Sequence, residues 1–218
     1  MALISNIDCV EKEIISSGII PLIDNKDYKI SKSLCEIIIK SGCKIIEFGI
    51  RHKESINHYE KLSKIVRKES REVYFGAGTV IDIGQAEKII EIGADFIISP
   101  GLDTDIAKLC NQNNIYYIPG CATVSEILKA RKIGCELIKI FPINTLGGIK
   151  FLHTIKGPLP WLKAIPAGGI EADVTIVREW LNIGAAAVTI GSHLFNKDFK
   201  KETTLIEIET VLRDLLRD

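Results

Sequence analysis

Apolar residues along the chain gather into eight short, nearly continuous runs at 19–23, 44–49, 73–76, 96–99, 116–119, 137–141, 164–167 and 187–190. Each run is bounded by Gly, Pro, Ser or a charge, and the runs are rich in Ile, Val, Phe and Tyr, which fit a pleated surface. Most are continuously apolar rather than alternating, the pattern of strands covered on both faces in a parallel sheet. Between them apolar positions recur with a helical period: Ser31, Cys35, Ile38 and Ile39; Ile83, Ala86, Ile89 and Ile90; Val124, Ile127, Leu128 and Ile133. Asp173 is placed to cap a helix that runs to about Ile183 and stops at Gly184. Segments 4–17 and 201–216 are amphipathic and read as terminal helices.

Strand–helix alternation predicts an α/β fold with a parallel sheet. Eight repeats in 218 residues suit a (β/α)8 TIM barrel with an extra N-terminal helix. The alternative, an open doubly wound sheet, would more often carry a glycine-rich dinucleotide loop after its first strand, where this chain has Asp24, Asn25 and Lys26. No linker or change of composition divides the chain, so 1–218 reads as a single domain.

Composition narrows the function classes. Lys+Arg and Asp+Glu both number 28, which gives no basic footprint for nucleic acid and leaves self-association open. The basic stretch 61–71 is interrupted by Glu69 and reads as a solvated helix face. Asp8, Glu11, Lys12 and Glu13 break up the first twenty residues, and no apolar run approaches the ~18 needed for a bilayer span. The expectation is a soluble, cytoplasmic protein without membrane contact. The six cysteines form no CxxC pair and have no histidine at zinc spacing, so they read as reduced, mostly buried thiols with no metal. Cys121 alone is placed to approach a site.

Candidate chemistry lies where a polar residue breaks an apolar strand near its C-terminal end. Lys139 is the clearest case, in Leu137-Ile138-Lys139-Ile140-Phe141. Alternation puts Leu137, Lys139 and Phe141 on one face. Burial disfavours an ammonium, and a neutral amine is the form that attacks a ketone; a lysine paired structurally with a carboxylate is the competing reading. Glu47 and Arg51 share a parity with Gly49. The acid can move protons and the guanidinium can hold a carboxylate, or the charges can form a buried ion pair without chemistry. Gly168-Gly169 and Gly191-Ser192 follow the last two strands, where backbone N–H groups of such barrels cradle phosphate. Thr79, in Gly76-Ala77-Gly78-Thr79, shares parity with Phe75 and Ala77 and offers a hydroxyl to a carboxylate. His52, His58, His153 and His193 suggest no catalytic role, although His193 sits on the second glycine loop.

These residues lie within motifs that resemble a family. IIPLI (19–23), IIEFGIR (45–51), GAGTV (76–80), IISPGLD (97–103), IPGCATVSE (118–126), LIKIFPINTLGG (137–148), IPAGGI (165–170) and IGSHLF (190–195) are similar, in order and spacing, to the class I 2-keto-3-deoxy-6-phosphogluconate (KDPG) aldolases. Some members of that family act on 4-hydroxy-2-oxoglutarate (KHG). The resemblance implies Lys139 as the Schiff-base lysine, Glu47 as general acid/base, Arg51 and Thr79 at the pyruvate carboxylate, and Gly168, Gly169, Gly191 and Ser192 at the phosphate. It further implies a homotrimer without metal or organic cofactor, acting on a 2-oxo acid phosphate in the Entner–Doudoroff branch of carbohydrate metabolism. Gly49 and Ala167 stand where many members carry Thr, which leaves open the C4 stereopreference and a shorter substrate. Gly120-Cys121-Ala122 is similar to the galactonate-type enzymes, whereas Arg51 is more like the gluconate branch. The rival functions are a galactonate-type aldolase, a non-covalent phosphate-binding isomerase or epimerase, and a non-catalytic phosphate sensor.

Overall fold

The computed structural model describes residues 6–195 and 202–216. In chain order the elements are α1 (Asn6–Ser17), β1 (Ile19–Ile23), α2 (Tyr28–Lys40), β2 (Ile45–Gly49), α3 (Ser55–Glu69), β3 (Tyr74–Gly78), α4 (Ile83–Ile92), β4 (Phe96–Ile98), α5 (Thr104–Gln112), β5 (Tyr116–Ile118), β6 (Gly120–Cys121), α6 (Val124–Lys132), β7 (Leu137–Ile140), α7 (Ile143–Leu146), α8 (Gly148–Lys156), β8 (Lys163–Pro166), α9 (Val174–Asn182), β9 (Val188–Ile190), α10 (Ser192–Phe195) and α11 (Glu202–Leu215). The strand–helix alternation expected from the apolar runs is present. Residues 4, 5 and 201 of the expected terminal helices lie outside the described residues.

Every strand pair is parallel, in a six-stranded sheet ordered β5-β4-β3-β2-β1-β9 and a three-stranded sheet ordered β6-β7-β8. The run expected at 116–119 forms β5 up to Pro119, which has no N–H to give to a ladder, and a further short strand, β6, follows it at Gly120–Cys121. The Pro119 carbonyl still accepts from Lys139 N at 2.9 Å. β8 and β9 meet through a parallel bridge, Ala167 to Thr189, and through Ala186 N to Ala164 O at 2.8 Å.

Alternate strand residues feed two apolar cores. Ile20, Ile45, Phe96, Ile98, Tyr116, Ile118, Leu137, Ile165 and Ala187 pack together, and Val10 and Ile14 of α1 complete that inner core. The other parity, such as Ile46, Phe48, Phe75, Ala77, Ile138 and Ile140, packs under the helices. Fully burying one such Ile or Phe contributes about 1.5–3 kcal/mol, so strand register is tightly held. Glu11 ties α1 down, accepting from Lys163 Nζ at 2.7 Å and from the Tyr116 hydroxyl at 2.8 Å. The expected cap is present: Asp173 accepts from Ile176 N at 3.0 Å, and Gly184 follows the helix at φ 90°.

Gly76 shows how tightly the inner layer is filled, since a Cβ there would overlap the Phe96 ring. Gly76→Ala should therefore destabilise the protein by about 1–3 kcal/mol through overpacking, read as a lower denaturant midpoint at unchanged m-value. An unchanged midpoint would mean that the Phe96 ring gives way freely.

Candidate active site

The C-terminal ends of the strands surround a cavity of about 590 Å³, in the size range usual for small-molecule sites. Lys139 reaches it from β7. Leu137 anchors the same strand face in the inner core, so the lysine one pleat further on must point inward, with Phe141 beyond it at the cavity wall. Ile138 and Ile140 lie on the other face, as the alternation predicts, and there they pack under the helices.

Glu47 meets Lys139 from β2, with Oε1 3.6 Å from Nζ; the two side chains are 0% and 6% exposed. Neither carboxylate oxygen of Glu47 has a hydrogen-bond partner. Two charged groups are held out of water with only each other close by, an arrangement that costs desolvation and is weak evidence for a purely stabilising role. Gly78 makes the space, because a Cβ there would overlap the Glu47 carboxylate. Lys139 Nζ also lies 5.5 Å from the centre of the Phe141 ring.

Arg51, two pleats beyond Glu47, lines the cavity. Its Nε donates to Thr79 Oγ1 at 3.1 Å and its Nη1 to Asp24 Oδ2 at 2.6 Å. Thr79 is at the cavity, but not for the reason its parity suggested. Phe75 and Ala77 point into the outer core, and Thr79 departs from their face through a left-handed backbone at φ 61°. Reading strand alternation one residue past the strand end failed here, because the chain had already turned.

Gly168, Gly169, Gly191 and Ser192 also line the cavity. Gly168 and Gly169 have φ of 100° and 83°, a conformation that favours glycine. Among the described residues, the backbone N–H groups of Gly169, Gly191 and Ser192 have no backbone partner, whereas Gly168 adjoins the Ala167–Thr189 bridge. Three such donors among the described residues, on two neighbouring loops, form a surface suited to an anion.

All eight residues singled out in the sequence thus come to one cavity, apart from Glu47, which lies just beneath it against Lys139. Cys121 does not. It belongs to the outer core, and burial pushes its thiol up to about 12, far from a nucleophilic thiolate. None of the six cysteines is in a disulfide. The sequence reading missed Asp24, which holds Arg51 and stands 3.4 Å from His52 Nε2. A charge directly after the first apolar strand was the available signal. It also missed Leu22, Pro100 and Thr189 at the cavity wall.

Fold and site together define a parallel α/β protein that presents a buried lysine–glutamate pair to a cavity lined by a guanidinium and by two glycine-containing loops. The chain belongs to the KDPG and KHG aldolase family, whose model matches residues 10–211. It is 29% identical over 199 residues to the KHG/KDPG aldolase of Escherichia coli K12, covering 89% of this chain and 92% of that one. It is 30% identical over 188 residues to the 2-dehydro-3-deoxy-phosphogluconate aldolase of Pseudoalteromonas atlantica, covering 86% and 85%. Among solved structures it is similar to the KDPG aldolase of Legionella pneumophila with pyruvate captured as a covalent carbinolamine, with a TM-score of 0.77, 28% identity and 94% and 95% coverage.

Proposed function

We propose that this chain is a class I aldolase that cleaves 2-dehydro-3-deoxy-6-phosphogluconate to pyruvate and glyceraldehyde 3-phosphate, with 4-hydroxy-2-oxoglutarate as a second substrate. The observation that carries this reading is the buried Lys139 amine, 3.6 Å from a Glu47 carboxylate that has no other partner, at the floor of the cavity.

In this reading Lys139 Nζ attacks the C2 ketone to form a carbinolamine, and loss of water leaves a protonated imine. Glu47 takes the proton of the C4 hydroxyl. The C3–C4 bond breaks, its electron pair moves toward the iminium nitrogen to form an enamine, and the aldehyde leaves. Glu47 returns its proton to C3, and water releases pyruvate from Lys139. Covalent attachment turns one difficult carbanion step into several easier ones. Arg51 and Thr79 hold the C1 carboxylate, and the amides of Gly168, Gly169, Gly191 and Ser192 hold the phosphate. Binding both ends fixes the reacting carbons over the lysine.

The same reading takes the two sheets as one closed (β/α)8 barrel in a single domain, with α1 as its additional N-terminal helix. It is supported by the Ala167–Thr189 bridge between β8 and β9 and by the continuity of β5 and β6 through Pro119. A cytoplasmic homotrimer acting in the Entner–Doudoroff route completes the proposal.

Borohydride reduction in the presence of pyruvate tests the reading. The expected outcome is a mass increase of about 72 Da on the peptide that carries Lys139, the mass of a reduced pyruvate imine. An unmodified Lys139 in an enzyme that cleaves substrate would exclude the mechanism. A protein that neither traps pyruvate nor releases it is what an isomerase or a phosphate sensor would give. Pyruvate release from KDPG, its galactonate epimer and 4-hydroxy-2-oxoglutarate, assayed side by side, separates the substrates.

A further inference from the structure

Thr189 is a residue of the cavity that the reading above leaves unused. It stands on β9, where Ala187 faces the inner core and Val188 and Ile190 face the helices, so its side chain points inward. It is 5% exposed and lines the cavity, and its Oγ1 has no hydrogen-bond partner. Its strand neighbours offer none: Ala167 lies across the bridge on one side and Ile20 across the ladder on the other. A buried hydroxyl left unpaired is costly, so the fold itself gives no reason for threonine rather than valine here.

We infer that Thr189 is a specificity-determining residue whose hydroxyl binds a hydroxyl of the substrate between its phosphate and its ketone. Both proposed phosphate loops start immediately above it, at Gly168 after Ala167 and at Gly191 two residues after Thr189. A substrate anchored on those amides and bonded to Lys139 must run its intervening carbons past this point. Those carbons carry the C4 and C5 hydroxyls, each both donor and acceptor, as is the threonine hydroxyl. Ala167, which lines the cavity beside Thr189, has no polar side-chain atom to compete for them.

This inference rests on the aldolase reading and is tested by Thr189→Val, with Thr189→Ser as its conservative partner. Thr189→Val preserves shape and removes the hydroxyl. It should lower kcat/KM for KDPG about 10- to 100-fold. Borohydride trapping of pyruvate, which lacks those carbons, should be unchanged, and so should the melting temperature, or it should rise. Thr189→Ser should restore most of the cleavage. The opposed movement of stability and turnover is the diagnostic feature, since a hydroxyl with a structural partner would lose both together. Unchanged KDPG cleavage by Thr189→Val, a fall in melting temperature, or loss of trapping in step with cleavage would each overturn the inference. Wild-type protein that neither traps pyruvate nor cleaves KDPG would instead overturn the aldolase reading.

Discussion

Replacing Lys139 with alanine should lower kcat for KDPG cleavage by at least about 10⁴-fold, because the electron sink for C3–C4 cleavage exists only while the substrate is bonded to this nitrogen. Among the described residues lining the cavity, Lys139 is the single lysine. The mass increase on trapping with pyruvate and borohydride should vanish in the same variant. The substitution also removes half of a buried pair and leaves Glu47, fully buried and without a hydrogen-bond partner, against an empty space. Breaking such a pair from one side costs about 3–5 kcal/mol. The decisive comparison is therefore the double variant Lys139→Met/Glu47→Gln, which removes both charges at nearly constant volume. It should regain most of the lost stability in urea unfolding and remain inactive. Activity returning with stability would show that the lysine had served the fold and not the chemistry.

The second large effect is expected at Glu47. Glu47→Gln should keep the fold and still trap pyruvate, because imine formation needs the amine and not this acid. Its kcat should fall about 10²–10⁴-fold, the usual contribution of a positioned general acid–base group. Glutamine fits the space that Gly78 leaves open but cannot accept and return the proton that the cleavage step moves. Exchange of the pyruvate methyl protons with deuterated water, followed by NMR, isolates the return of the proton to C3. It should slow in parallel with cleavage. Exchange at the wild-type rate in Glu47→Gln would remove this side chain from the mechanism and leave bound water as the base.

Much of the site was legible in the chain because the same physics that buries a strand marks its exceptions. A lysine inside Leu137–Phe141 and a glutamate inside 44–49 are costly to bury, so their presence on apolar strands signals either pairing or function, and the structure pairs them at 3.6 Å. The glycines after β8 and β9 were visible as breaks at strand exits, and the structure turns Gly168 and Gly169 left-handed. Asp24 and Thr189 were not. Asp24 lies among polar loop residues, where a charge is unremarkable, and threonine is an ordinary strand residue. Only its missing partner distinguishes Thr189, and a partner is a property of three dimensions.

By itself the sequence determined the parallel strand–helix alternation, the face that Leu137, Lys139 and Phe141 share on β7 and the parity that sends Glu47 and Arg51 the same way, because these follow from the two-residue repeat of a strand and from which residues water rejects. Tertiary structure decided the rest. It brought β2 and β7, 92 residues apart from Glu47 to Lys139, into contact. It turned Thr79 off its strand face toward Arg51, set Asp24 against that guanidinium, and left the Thr189 hydroxyl unpaired at the cavity wall. Such contacts depend on the register between strands distant in sequence, and on where each strand ends and the chain turns, which local pattern does not encode.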